Sequence, residues 1–115
     1  ALAALASLVA MMWYGKEGIH ALALTNFQRA SFLRDKLKQI DGVQVLGDGA
    51  IFNEFAVKFS QPLEHVHKLF REHRILPGID LGWAYPQLQD YLLICVTELK
   101  SKEQLDRFIE VAQKL

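Results

Sequence analysis

Residues 43–59 read VQVLGDGAIFNEFAVKF, and this stretch decides how the chain folds. Val43–Leu46 is short and alternating, Gly47-Asp48-Gly49 makes a turn, and residues 51–59 form a longer strand-like run. Successive side chains on a strand point to opposite faces. Ile51, Asn53, Phe55, Val57 and Phe59 therefore share one face, and Phe52, Glu54, Ala56 and Lys58 share the other. One face is almost wholly apolar and calls for a covering layer. Sheet-forming segments with helices on one side give an α/β (α+β) two-layer sandwich.

Helical patterns lie on both sides of these strands. Upstream, Ile19, Ala23, Phe27, Ala30, Leu33, Leu37 and Ile40 make the apolar stripe of a long helix, closed by Asp41-Gly42. Downstream, Pro62 suits the first position of a helix whose Leu63, Val66 and Phe70 face inward. Residues 75–90, rich in glycine, proline and aromatics, read as a loop leading into the strand YLLICVT at 91–97. Ser101 with Gln104 resembles a capping box opening the last helix, which carries Leu105, Phe108, Ile109, Ala112 and Leu115. The predicted order is α-α-β-β-α-β-α.

The first of these helices is the apolar stretch ALAALASLVAMMWY, ended by a turn at Gly15-Lys16-Glu17-Gly18. At 1.5 Å per residue it spans about 21 Å, short of a hydrocarbon core of roughly 30 Å. A signal peptide carries positive charge ahead of its apolar region, whereas here Lys16 follows it. Leu2, Leu5, Val9 and Met12 share one helical face, and Ala3, Ala6 and Ala10 a second, so cover is needed on more than one side. The expectation is a core helix cut from a larger chain, with packing neighbours outside these residues.

Composition narrows the function classes. A chain of 115 residues with 51% apolar and 23% charged residues is one ordinary globular domain. Thirteen basic residues balance thirteen acidic ones, so no net field points to nucleic acid or to a membrane surface. Cys95, the lone cysteine, lies in an apolar run and reads as a small buried residue in a reducing compartment.

Chemistry-bearing motifs are sparse. His65 and His67 stand two residues apart on a helix, about 200° around its axis, and cannot close on one ion. No histidine pair has the i, i+4 zincin spacing, so no metal ligands are assigned. His20 stands alone. No G-x-S-x-G elbow is present, and the glycines match neither a dinucleotide nor a Walker loop. No catalytic residue is assigned within the chain. Polar residues placed within or ending apolar strands, Asn53, Glu54, Thr97 and Glu98, are the candidates for lining a substrate cleft. Their alternative role is structural, as a satisfied amide and a helix-flanking carboxylate.

The ordered words GKEGI, IDGVQVL, FNEFAV, GIDLGWAYPQL and LLICVTEL followed by SKEQLDRF cover nearly the whole chain. In that order the sequence resembles the C-terminal small domain of the glycine cleavage system P-protein (glycine dehydrogenase, decarboxylating). The likeness is greatest to the α-subunit of its two-subunit bacterial form. The resemblance implies a single domain over 1–115, with 1–14 the end of an interdomain helix, in an aspartate-aminotransferase-type fold. It also implies a cytoplasmic bacterial oxidoreductase of glycine catabolism that uses pyridoxal phosphate. Such an enzyme decarboxylates glycine and passes the aminomethyl group to the lipoyl arm of the H-protein.

In that family the Schiff-base lysine belongs to a large domain, carried in two-subunit forms by the partner P-protein subunit. His67-Lys68 is not that lysine, because it falls mid-helix. The isolated fragment is therefore expected to be inactive, with no covalent cofactor. Two features depart from the pattern: Pro77 stands where a glycine is expected, and Cys95–Glu98 contains no arginine. For a decarboxylase, a tight ion pair to the departing carboxylate would stabilise the ground state and slow the step. The alternative readings are a stand-alone amino-acid-sensing or protein-interaction module without catalysis. A ferredoxin-like sensor needs β-α-β-β-α-β order, which two leading helices disfavour.

Overall fold

The structure is a computed structural model and describes all residues, Ala1–Leu115. Its elements are the helix α1 (Leu2–Leu37), strands β1 (Val43–Val45) and β2 (Glu54–Phe59), the helix α2 (Leu63–Glu72), strands β3 (Ile79–Asp80) and β4 (Tyr91–Cys95), and the helix α3 (Lys102–Ala112). The strands form one antiparallel sheet in the order β1-β2-β4-β3. Helices cover one of its faces, as the alternation in residues 51–59 predicts.

Register explains the layering. Val57 pairs with Val45 on one side and Leu92 on the other, while Phe55 pairs with Ile94. Phe55, Val57, Phe59, Leu92, Ile94 and Val96 are buried against the helices, whereas Glu54 and Cys95, paired across the outer face, are exposed. Leu33 and Leu37 of α1, Val66 and Phe70 of α2, and Leu105 and Phe108 of α3 complete the core. The Phe70 ring lies 4.6 Å from that of Phe108 and 6.3 Å from that of Phe59, within the range of favourable aromatic pairs.

Several element boundaries differ from the sequence reading. The turn expected over Gly15–Gly18 shrinks to one residue: Gly15 takes φ 65° and ψ −177°, a value open to glycine, and the chain is helical again at once. The long helix stops at Leu37 instead of near Ile40. Its predicted stripe is buried only from Ala30 onward; Ile19, Ala23 and Phe27 are exposed because the sheet and α3 reach only the last turns. The long strand begins at Glu54 instead of Ile51, since residues 52–53 bend away, and the last strand ends at Cys95 instead of Thr97. Cys95, read as buried, is exposed because it falls on the open face of the sheet.

One strand lies inside the stretch read as a loop. β3 pairs with β4 through Ile79 opposite Leu93 and Asp80 opposite Leu92. The approach is close at Gly78, where a Cβ would stand 2.4 Å from the Leu93 carbonyl oxygen, so only glycine fits without a shift. Pro77, the departure from the expected glycine, is fully buried beside it. The capping box of α3 forms as read: Gln104 N–H donates to Ser101 Oγ at 3.3 Å, and Ser101 N–H to Gln104 Oε1 at 2.9 Å. All of residues 1–14 are exposed, with Leu2 at 81% and Trp13 at 86%. No helix is long and apolar enough to cross a membrane.

Candidate functional site

The four cleft candidates gather at one end of the β2–β4 pair. Asn53 just precedes β2, and its carbonyl accepts a hydrogen bond from Val96 N–H at 2.8 Å. Glu54 sits opposite Cys95, and Thr97 and Glu98 follow directly after β4. The antiparallel register thus joins residues that are more than forty positions apart in sequence.

Cys95, Thr97 and Glu98 each have a definite environment. The Cys95 thiol is pushed up from its ordinary range, first by desolvation and then by the Glu54 carboxylate, so it stays protonated at neutral pH. Thr97 Oγ1 accepts from Leu99 N–H at 3.3 Å and shapes the turn toward α3. Glu98 reaches back to α1, where its Oε2 accepts from Asn26 Nδ2 at 3.2 Å. Asn26 is only 6% exposed and also donates to the Leu22 carbonyl at 2.9 Å. Arg29, one turn on, donates through one guanidinium nitrogen to the backbone carbonyls of Glu98 and Lys100.

Asn26 and Arg29 are functional-site neighbours that sequence reasoning missed. Asn26 stands next to the predicted stripe residue Phe27 and took its place in the interior. A polar residue beside an apolar helical stripe was the available signal, but its partner lies 72 residues away.

Elsewhere the charged groups serve the frame. Lys58 Nζ donates to Asp90 Oδ2 at 2.7 Å, and this bond raises the lysine pKa. The Glu103 carboxyl is held below its usual range, first by its own backbone N–H and then by the Ser101 hydroxyl. His67 Nε2 lies 2.5 Å from Asp80 Oδ1 and ties β3 to α2. His73 Nδ1 meets the Leu69 carbonyl at 2.9 Å, and its Nε2 lies 3.0 Å from Lys114 Nζ. His65 is exposed, so the three histidines point to different surroundings.

The layered sheet with helices on one face is shared with solved enzymes of the aspartate-aminotransferase fold type, and it defines the class. It superposes with a TM-score of 0.77 on the crystal structure of an inhibitor-bound glycine decarboxylase (P-protein) of the glycine cleavage system. That match has 24% identity and covers 90% of this chain and 23% of the other. A mutant of C-DES with glycine covalently linked to its PLP cofactor matches at a TM-score of 0.66 and 20% identity, over 81% of this chain and 24% of that one.

Sequence then specifies the relationship. The chain is 55% identical over all 115 residues to the probable glycine dehydrogenase (decarboxylating) subunit 1 of Protochlamydia amoebophila (strain UWE25). The resemblance read from its ordered words holds along its whole length: the chain is homologous to a segment of glycine dehydrogenase (decarboxylating) subunit 1. It spans about a quarter of that relative's length, 26%. No family model matches the chain.

Pyridoxal phosphate is implied by this fold type, and the residues present do not form a cradle for it. Such a site needs a lysine for the aldehyde and a charged partner for the ring nitrogen. Seven of the eight lysines are exposed and the eighth, Lys58, is paired with Asp90. Lys100, beside the cavity walled by Leu33 and Phe108, has no carboxylate among its cavity neighbours. No catalytic step through the cofactor is assigned to these residues.

Proposed function

We propose that this chain is the small C-terminal domain of a two-subunit bacterial glycine dehydrogenase (decarboxylating), packing against the cofactor-bearing part of the complete enzyme. The observation that carries this reading is the 55% identity with subunit 1 over all 115 residues of the chain. The partner subunit would supply the lysine that holds pyridoxal phosphate, whose chemistry is to accept the electrons released on decarboxylation. The lipoylated H-protein would receive the aminomethyl group, in the bacterial cytoplasm.

Within this chain the contribution is positional. Asn53, Glu54, Thr97 and Glu98 form the end of the sheet proposed to face the substrate cleft. Asn26 and Arg29 would fix that end by tying residues 98–100 to α1. Arginine is absent from Cys95–Glu98, which fits a reaction that must release a carboxylate instead of gripping it.

The test mixes the full-length subunit with its partner subunit, pyridoxal phosphate and glycine. The expected result is a change in cofactor absorbance and release of carbon dioxide. The 115-residue chain alone should give neither, and turnover by it would overturn the reading. A glycine analogue held by Arg71, Arg74 or Arg107 in the complete enzyme would overturn the role given to the missing arginine.

A further inference from the structure

A cavity of about 410 Å³ opens between α1, α3, the end of β4 and the segment that follows α2. Its volume lies in the range of small-molecule sites, which are mostly apolar with a few placed polar groups. Buried Leu33, Ile94, Val96 and Phe108 supply its apolar wall. Around them stand three cations, Arg74, Lys100 and Arg107, with no acidic residue among the thirteen that line the cavity. None of the three makes an ion pair.

The backbone at Arg74 adds a second, independent observation. Ile75 N–H donates to the Phe70 carbonyl at 2.9 Å and Arg74 N–H to that of Arg71 at 2.8 Å, so α2 ends in a Schellman motif. Arg74 occupies the left-handed position of that motif at φ 59°, where glycine is favoured and other residues cost about 1–2 kcal/mol. It is the only residue other than glycine with positive φ in the chain. Arg107 already donates to the His73 carbonyl at 2.9 Å and answers the negative end of α2. The helix terminus is thus served without the Arg74 side chain, and a strained arginine remains beside an apolar cavity. On the far side the cavity borders the first turn of α3, whose peptide dipoles favour negative charge.

We propose that this cavity binds a small amphipathic monocarboxylate, with its apolar body on the Leu33–Phe108 wall and its carboxylate among Arg74, Lys100 and Arg107. A wholly polar anion would leave the apolar wall wet, and a neutral hydrocarbon would leave the cations unused. The proposal is independent of the decarboxylase reading. None of Asn53, Glu54, Thr97 and Glu98 lines this cavity.

A ligand that binds the folded chain lowers the population of its opened form, so the rate of proteolysis reports occupancy. The experiment follows digestion by thermolysin, read by loss of intact mass, with octanoate as the probe. At about twice its dissociation constant, octanoate should slow the reaction about threefold, and more at higher concentration. Octanol, inorganic phosphate and glycine at equal concentration should leave the rate unchanged. Lys100→Gln, at an exposed side chain with no bond to lose, should weaken protection up to about fivefold. Arg74→Gly should weaken it similarly while raising the melting temperature through relief of backbone strain. No slowing by octanoate, equal slowing by octanol, or slowing by phosphate or glycine would overturn the proposal. So would an Arg74→Gly variant that melts lower with protection intact, because the arginine would then be a helix cap alone.

Discussion

Residues 2–14 and residues 30–37 lie on opposite sides of the kink that Gly15 puts in α1, and their exposure inverts their composition. The first stretch is almost entirely apolar and lies exposed along its length; the second carries Arg34, Asp35 and Lys36 yet buries Ala30, Leu33 and Leu37 almost completely. Burial here follows position relative to the sheet, not local hydropathy. Ala30, Leu33 and Leu37 recur at helical spacing and meet the inner face of the sheet and α3. The exposed arm meets nothing in the chain, and Gly15 lets it swing away from the axis of the rest.

The sharpest way to break this comparison is one substitution made at both ends. Leu33→Ala should destabilise the chain by about 2–5 kcal/mol in denaturant titration, since a fully buried leucine leaves a cavity. Arg29→Ala should cost about 1.5–3 kcal/mol in the same assay, because it removes a charged donor from two carbonyls. Ser101→Ala should cost about 1 kcal/mol through loss of the α3 cap. Gly15→Ala should straighten the arm, because φ 65° with ψ −177° is essentially a glycine conformation that costs an alanine about 1–3 kcal/mol, and residues 2–14, all exposed, do not hold the kink. It should appear as a small gain in helical ellipticity. Leu5→Ala, the counterpart of Leu33→Ala, should stay within about 0.5 kcal/mol. A cost at Leu5 comparable to that at Leu33 would refute the contrast.

The same contrast explains what could be read in advance. Strand alternation exposed the inner face at Phe55, Val57 and Phe59, and helical spacing placed Val66, Phe70, Leu105 and Phe108, because these patterns repeat within a few residues. The Ser101–Gln104 capping box is equally local. β3 was illegible: two residues inside a loop become a strand only because Gly78 lets the chain lie against β4. The environment of Glu98 was half legible. Its helix-flanking position could be seen, but its partner Asn26 is 72 positions away and no periodicity announces it. Cys95 shows the limit of an apolar neighbourhood as a guide, since alternate residues of a sheet covered on one side face outward.

The bonds from Arg29 have a consequence for how this surface can change. They end on main-chain oxygens of residues 98 and 100, not on side chains. Every amino acid presents that same oxygen, so the side chains of Leu99 and Lys100 are free to vary without cutting the tie, whereas position 29, and Glu98 with its bond to Asn26, have no such latitude. The segment joining the sheet to α3 can therefore alter its outward chemistry and keep its place, a division between a fixed anchor and an editable face.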